Sequence, residues 1–409
     1  VLAFTDPKVD DRFSQNHPSR RKGGHWEESC MQEIGRGARA IALVGPASAG
    51  KTSLAEALLF AAGAISRLGS VEGHTSVGDA SPEARARGSS TELNVMHFDW
   101  MGDRYLLVDV PDLVDFEANA ETALAAADLA LVVIDPDAER APLVEPTLRR
   151  LEALGMPHAL FVNKIDQAQG SIEDLLASLQ PMGAAALVAR QIPILAGERV
   201  AGFVDLALER AYHYQPGKHS QRVPLAAHLK EDEAAARIHM LEQLADHDDV
   251  LLEQLVSEAA PSLSTIFEDL TREMADGLVV PVLFGSALNG FGIRRLLKML
   301  RHDTPPVAAT AERLGINGAA IKVLKILPGS KAGRLALARV FGGPHTAGEE
   351  LTKADGQTAQ AGTLFKLQGS AIAKLARAEH GDIVAIAEAG AMQAGQILSS
   401  RTPTVAVHN

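Results

Sequence analysis

The sequence predicts an α/β protein: a doubly wound, largely parallel sheet with an inserted α+β subdomain, followed by a small antiparallel β-barrel. Three observations carry that prediction. Apolar runs without alternation, RAIALVG (39–45), YLLVDV (105–110), DLALVVID (128–135), HALFVNK (158–164) and LVVPVLFGS (278–286), mark strands buried on both faces. Helical patterns at 116–127, 143–154 and 290–301 separate or follow them, the rhythm of a sheet covered on both sides. After RHDTPP (301–306) the pattern becomes short β segments divided by glycine turns.

Taken in chain order, residues 1–37 are polar and glycine-rich and read as a disordered leader, with Met31 a candidate native start. RAIALVG is a strand ending in glycine, and the helix after it gathers Leu54, Ala55, Leu58, Leu59 and Ala62 on one face. Residues 63–90, with five glycines, form a loop long enough to be functional or mobile. TELNVMHFDW (91–100), MGDR and YLLVDV then read as a hairpin that places an antiparallel strand at the sheet edge.

Between 164 and 278 the rhythm breaks. A hairpin in ARQIPILAGERVAGFVDL and a polar link at 215–230 precede one long charged helix over 231–259. Its packing face comprises Leu241, Leu244, Val250, Leu251, Leu255 and Val256. This suggests a nucleotide-binding domain of 38–303 with an insertion at about 167–277, then a linker at 304–318. AAIKVLKI, GRLALARVFGG, GTLFKLQG, GDIVAIAEA and GQILSS supply the barrel, 319–402.

At 409 residues the chain is longer than a single core usually supports, so at least two domains are expected. Its 39 Lys and Arg against 51 Asp and Glu leave a net charge of −12, which gives no support to binding naked nucleic acid through the overall field; no sequence-specific DNA target is expected. The single Cys30 excludes an internal disulfide framework and lies outside any metal-ligand spacing. No segment reaches the roughly 20 apolar residues of a membrane span. A soluble, cytoplasmic monomer is the expectation. His97, His158, His213 and His239 have no spacing that suggests a catalytic cluster, and His74 lies in the 63–90 loop.

The chemistry concentrates at strand ends. GPASAGKT (45–52) is a complete phosphate-loop pattern between a strand and a helix. Gly45 and Gly50 let the backbone of Pro46, Ala47, Ser48 and Ala49 close around phosphates, Lys51 reaches the β and γ oxygens, and the Thr52 hydroxyl can ligate Mg²⁺. NKID (163–166) follows another strand: Asn163 can bond the purine and the phosphate loop, the Lys164 stem can cover the base, and Asp166 can accept from two donors on a guanine edge. Adenine offers no such pair. In GSA (285–287), Ser286 and Ala287 can supply a backbone N–H to the guanine carbonyl.

The ordered set GPASAGKT, RGSS, DVPD, NKID and GSA resembles the five sequence boxes of translational GTPases, the insertion before GSA resembles that of elongation factor G, and the length of the 63–90 loop with its VGDASPEARARGSS is more similar to the elongation factor G-like group. ARVFGG and its glycine-delimited neighbours are similar to the second, barrel domain of that family. The resemblance covers about residues 38–400. It implies a P-loop GTPase domain, GTP/GDP and Mg²⁺ as ligands, and the ribosome as partner. The family's later ribosome-facing domains have no counterpart after Asn409, which implies a natural short form or a fragment. By the same resemblance Ser90 stands where a threonine covers Mg²⁺ and senses the γ-phosphate, and Asp109 matches the carboxylate that holds Mg²⁺ through water. Thr52 and Ser90 are therefore the implied metal ligands.

DVPDLVDF (109–116) departs from the pattern. Family members commonly have Asp-x-Pro-Gly-His here, whereas this chain has Asp112 and Leu113. A carboxylate at Asp112 pointing inward would disfavour GTP against GDP by about 1 kcal/mol in water and about 4 kcal/mol at an effective dielectric of 20. Pointing outward, it can cap the helix that follows. Leu113 cannot orient a water for phosphoryl transfer, so no catalytic residue is assigned and impaired hydrolysis is expected. The alternatives are a non-hydrolysing, nucleotide-dependent binding module and, less consistent with intact GPASAGKT and NKID, a scaffold that has lost nucleotide binding.

Overall fold

The computed structural model describes residues 37–69, 73, 75–77, 93–110, 118–168, 170–215, 217–330, 333–369, 371–387, 389 and 392–400. The expected leader up to residue 36, His74, Ser90, Asp112 and Leu113 lie outside the described residues.

The main sheet has seven strands: β1 (Arg39–Val44), β2 (Asn94–Trp100), β3 (Asp103–Asp109), β4 (Leu129–Ile134), β5 (His158–Val162), β6 (Ala186–Ala189) and, after the insertion, β11 (Val279–Phe284). Their spatial order is β2-β3-β1-β4-β5-β11-β6, and only the edge strand β2 runs antiparallel to its neighbour. Every residue of β4, β5 and β11 is buried, which is why these segments read as unbroken apolar runs.

Alternate residues feed two cores. Ala40, Ala42 and Val44 pack with Leu124 of α2 (Ala118–Ala125), Leu148 and Leu151 of α3 (Glu145–Ala153) and Leu175 of α4 (Ile172–Leu179). Ile41 and Leu43 face Leu54 and Leu58 of α1 (Lys51–Ala61) on the other side.

The insertion differs from expectation in two ways. Residues 172–189 carry α4 and β6, and β6 pairs in parallel with β11, so this first part extends the main sheet. The helix expected over 231–259 is two, α5 (Lys230–Ala245) and α6 (Asp249–Val256). Asp248 causes the break: its extended backbone ends the helical path, and its carboxylate accepts from Val250 N and Leu251 N, both at 2.9 Å. The packing face consequently loses phase. Leu241, Leu244 and Leu251 are buried, whereas Val250 and Val256 are exposed.

Four further strands, β7 (Gln191–Ala196), β8 (Arg199–Asp205), β9 (Arg210–His213) and β10 (Gln221–Val223), form a separate antiparallel sheet. Helix α7 (Leu263–Ala275), begun by the Ser262 cap, returns the chain to β11. Helix α8 (Ile293–Asp303) covers the sheet, and α9 (Val307–Arg313) occupies the stretch expected as linker.

The C-terminal part is an antiparallel sheet whose long strands are β12 (Ala320–Ser330) and β13 (Gly333–Phe341), built around Ile321, Val323, Val340, Leu351 and Leu398. Its eight strands are hydrogen-bonded side by side in one continuous sheet. Leu324, Leu337, Ile383 and Ala385 share one core cluster with Ala38, Leu124 and Ala127, so the two units are welded by apolar contact.

A buried ion pair pins that junction. Arg339, fully buried in β13, donates to Asp128 Oδ2 at 2.6 Å and also reaches the carbonyls of Ala38 and Ala126. Asp128 in turn accepts from Ala40 N at 2.7 Å and from the Thr310 hydroxyl at 2.5 Å. At the sheet edge, Gln368 bonds the His97 backbone on both sides, accepting from its N–H (2.8 Å) and donating to its carbonyl (3.3 Å), while Gly369 N donates to Val95 O (3.1 Å).

Candidate functional site

The loop after β1 is shaped by its glycines. Gly45 has φ 128°, and a Cβ there would lie 2.2 Å from the Val133 carbonyl oxygen; Gly50 has φ 93°, and its Cβ would lie 2.4 Å from Asn163 Nδ2. Ser48 adopts φ 64°, so the chain between the two glycines folds into a tight concave turn, closed by Ala49 N on Pro46 O at 3.3 Å. Helix α1 then starts at Lys51, aiming its N-terminus at the turn.

Lys51 Nζ donates to the loop's own carbonyls, Gly45 O at 2.7 Å and Pro46 O at 3.1 Å. Thr52 donates to Asp109 Oδ2 at 3.2 Å, which brings together a hydroxyl from the first turn of α1 and a fully buried carboxylate from the end of β3. Both donors are hard oxygens of the kind Mg²⁺ prefers. Among the described residues no group of three or more His, Cys, Asp or Glu could hold a metal. Thr52 and Asp109 are the described residues that could hold a Mg²⁺ ion here.

The three other strand ends converge on the same turn. Asn163 donates from Nδ2 to Ala49 O (2.9 Å) and accepts at Oδ1 from Ala287 N (3.0 Å). One amide therefore stitches the phosphate loop to the GSA turn. The Ala287 N–H, expected to meet the base, is the group that donates to Asn163 here. Lys164, held at φ 56°, places Nζ 2.6 Å from Ser48 O and 2.6 Å from Asp135 Oδ1. Ser286 is buried, with its hydroxyl accepting from Asn289 Nδ2 at 3.0 Å and its backbone bridged to Phe291.

Asp166 is the informative residue of the group. Its Oδ1 is buried and has no hydrogen-bond partner among the described residues. A buried carboxylate oxygen without a donor is costly, and a guanine edge offers the missing donors. Behind it, Tyr214 from the insertion stacks on Phe291 with ring centroids 4.5 Å apart, and burial, reinforced by the Asp166 charge, pushes its phenol far above the ordinary range.

Three participants were not read from the sequence. Asp135, at the end of β4, joins Lys164 to Arg140. Arg140 reaches Ala47 O at 2.9 Å. Buried Glu56 accepts from Gly69 N at 3.0 Å and Val77 N at 2.5 Å, tying the chain after α1 back to that helix. A charged residue in the apolar face EALL was the available signal for Glu56; nothing local distinguishes Arg140 from a solvated arginine.

The family described as "Elongation factor Tu GTP binding domain" matches residues 36–306. An "Elongation factor G-like protein" of Synechocystis is 35% identical over 367 residues, covering 88% of this chain and 54% of that protein. An "Elongation factor G 2" of Streptomyces coelicolor is 30% identical over 377 residues, again covering 88% and 54%. A crystal structure of a Thermus thermophilus protein superposes with a TM-score of 0.78 at 27% identity, covering 90% of this chain and 55% of that one. The chain thus spans about half the length of the curated relatives it matches. On the combined strength of the strand-end geometry and these matches, the chain belongs to the translational GTPase family.

Proposed function

We propose that the chain binds GTP and GDP with Mg²⁺ in the turn formed by residues 45–52, 163–166 and 285–287, and that it hydrolyses GTP slowly or not at all without help. The observation that carries the nucleotide reading is the convergence on one turn of four strand ends, with the unpartnered Asp166 oxygen where a guanine edge would supply donors. Gly45 to Thr52 would hold the phosphates, Asn163, Lys164, Asp166, Ser286 and Ala287 the base, and Thr52, Ser90 and Asp109 the metal. Bound Mg²⁺ would neutralise the negative charge of the phosphates. The unit 38–303 would carry this site and 319–402 the barrel, in a cytoplasmic protein that works at the ribosome.

Impaired hydrolysis rests on Leu113, which has neither donor nor acceptor for the attacking water, and on Asp112, whose charge would oppose the γ-phosphate if the side chain points inward. The test is titration with GTP, GDP and ATP in Mg²⁺, then GTP turnover for wild type and Asp112→Gly/Leu113→His, each with and without ribosomes. Guanine selectivity, GDP at least as tight as GTP, and a faster double variant are expected. Preferential ATP binding would overturn the base assignment; wild-type turnover equal to that of an ordinary translational GTPase would overturn the impairment.

Leu113 also favours a second reading, in which bound nucleotide only switches affinity for a ribosomal surface. Equal ribosome binding with GTP, GDP and no nucleotide would dismiss it.

A further inference from the structure

Arg140 lies outside the sequence motifs, on a short 3₁₀ segment after β4 (Ala138–Val144), yet its guanidinium stands against the phosphate loop. Nη2 donates to Ala47 O at 2.9 Å, and Nη1 lies 2.5 Å from Asp135 Oδ2. The other oxygen of Asp135 is 2.6 Å from Lys164 Nζ, which donates to the next loop carbonyl, Ser48 O. Asn163 takes the one after, Ala49 O. Three successive carbonyls are thus each held by a side chain from outside the loop.

A trans peptide points its C=O and the following N–H in opposite directions. Fixing Ala47 O, Ser48 O and Ala49 O therefore fixes where the N–H groups of Ser48, Ala49 and Gly50 point, away from the three side chains. Asp135 is buried and single-charged between two cations, so the cluster carries a net positive charge directly behind the loop. Lysine could not replace the arginine in full, because bridging a carboxylate and a carbonyl at once uses the planar fork.

We infer that Arg140 is a positioning residue for the nucleotide phosphates: held by Asp135, it sets the Ala47–Ser48 peptide so that the loop meets its ligand with the N–H groups already aimed. The inference rests on the nucleotide reading above and adds a residue to it. Because Arg140 acts on the phosphate loop and not on the base reader, its loss should weaken phosphate-bearing ligands while leaving the choice of base alone.

The experiment compares wild type, Arg140→Ala, Arg140→Lys and, as a control, Arg149→Ala, which removes an exposed arginine paired with Glu145. Affinity and dissociation rate for GDP, IDP and ADP are measured by calorimetry and stopped flow, with thermal unfolding of each chain without nucleotide. Arg140→Ala is expected to weaken GDP about tenfold, the scale of one hydrogen bond made by a charged group. The GDP/IDP and GDP/ADP ratios should stay within twofold of wild type, Arg140→Lys should recover only part of the loss, and Arg149→Ala should match wild type. Unchanged GDP affinity in Arg140→Ala overturns the inference. So does a loss matched by a fall in the melting temperature of the nucleotide-free chain, which would mark a purely structural arginine, or a change in the base ratios. Wild type that binds none of the three would overturn the functional reading itself, and the inference with it.

Discussion

Arg339→Met tests the junction most severely. The substitution keeps the apolar stem but removes the guanidinium from Asp128, leaving a fully buried carboxylate with Ala40 N and the Thr310 hydroxyl as its remaining donors. Breaking a buried pair from one side costs about 3–5 kcal/mol, because the surviving charge stays desolvated. The two remaining hydrogen bonds place this case at the lower end, about 3 kcal/mol. At about 2–4 °C per kcal/mol for a large domain, melting should fall by about 6–12 °C. The double change Arg339→Met/Asp128→Asn should be milder than Arg339→Met, since a neutral amide still accepts from Ala40 N and leaves no stranded charge. Urea unfolding would be followed by circular dichroism and tryptophan fluorescence in parallel, because more than one core is present and the two probes need not coincide. A single change within about 0.5 kcal/mol of wild type, or strict additivity in the double, would refute the argument that the pair is desolvated and coupled.

Gly50→Ala should abolish measurable GDP binding, since φ 93° is strained for alanine and its Cβ would strike Asn163 Nδ2; GDP calorimetry checks this. His97 is held down to about 3 by burial first, then by Lys366 and Arg104. The unfolded chain binds the extra proton between about pH 3 and 6.5, so this residue withdraws stability as pH falls through that window, and His97→Gln should flatten the acid limb of a urea-midpoint profile. Glu273 shows the opposite sign: burial, reinforced by Asp269, raises it to about 7, so the folded chain holds the extra proton and loses stability as pH rises from about 4.5 to 7. Glu273→Gln should therefore raise the urea midpoint more at pH 8 than at pH 5.

Much of the site was legible because steric necessity leaves a residue signature. Gly45 and Gly50 are glycine where a Cβ would meet Val133 or Asn163, so the motif in the sequence and the contact in space are one fact. The central strands were legible because burial on both faces removes alternation. The break at Asp248 was not, since helical spacing of Leu241, Leu244, Leu251 and Leu255 runs through it and only the cap geometry decides. Strand β6 was missed as well: ALVA is four residues long, and its membership of the main sheet comes from pairing with Val279–Val282 far along the chain. Arg339 left a signal that is clearer afterwards, a charge in phase with Leu335, Leu337 and Phe341 on a face of the strand that is otherwise apolar. Its partner, 211 positions away, left none.

The amide of Gln368 has a consequence for how the protein could be cut apart. Strand β2 ends the main sheet, and its outward backbone groups at His97 are satisfied by one side chain, with Gly369 serving Val95. A fragment ending near residue 303 would leave those groups as an open template for another strand. Such a fragment should pair with itself through β2, and the C-terminal sheet, besides any surface it presents, is the stopper that keeps the first unit from polymerising.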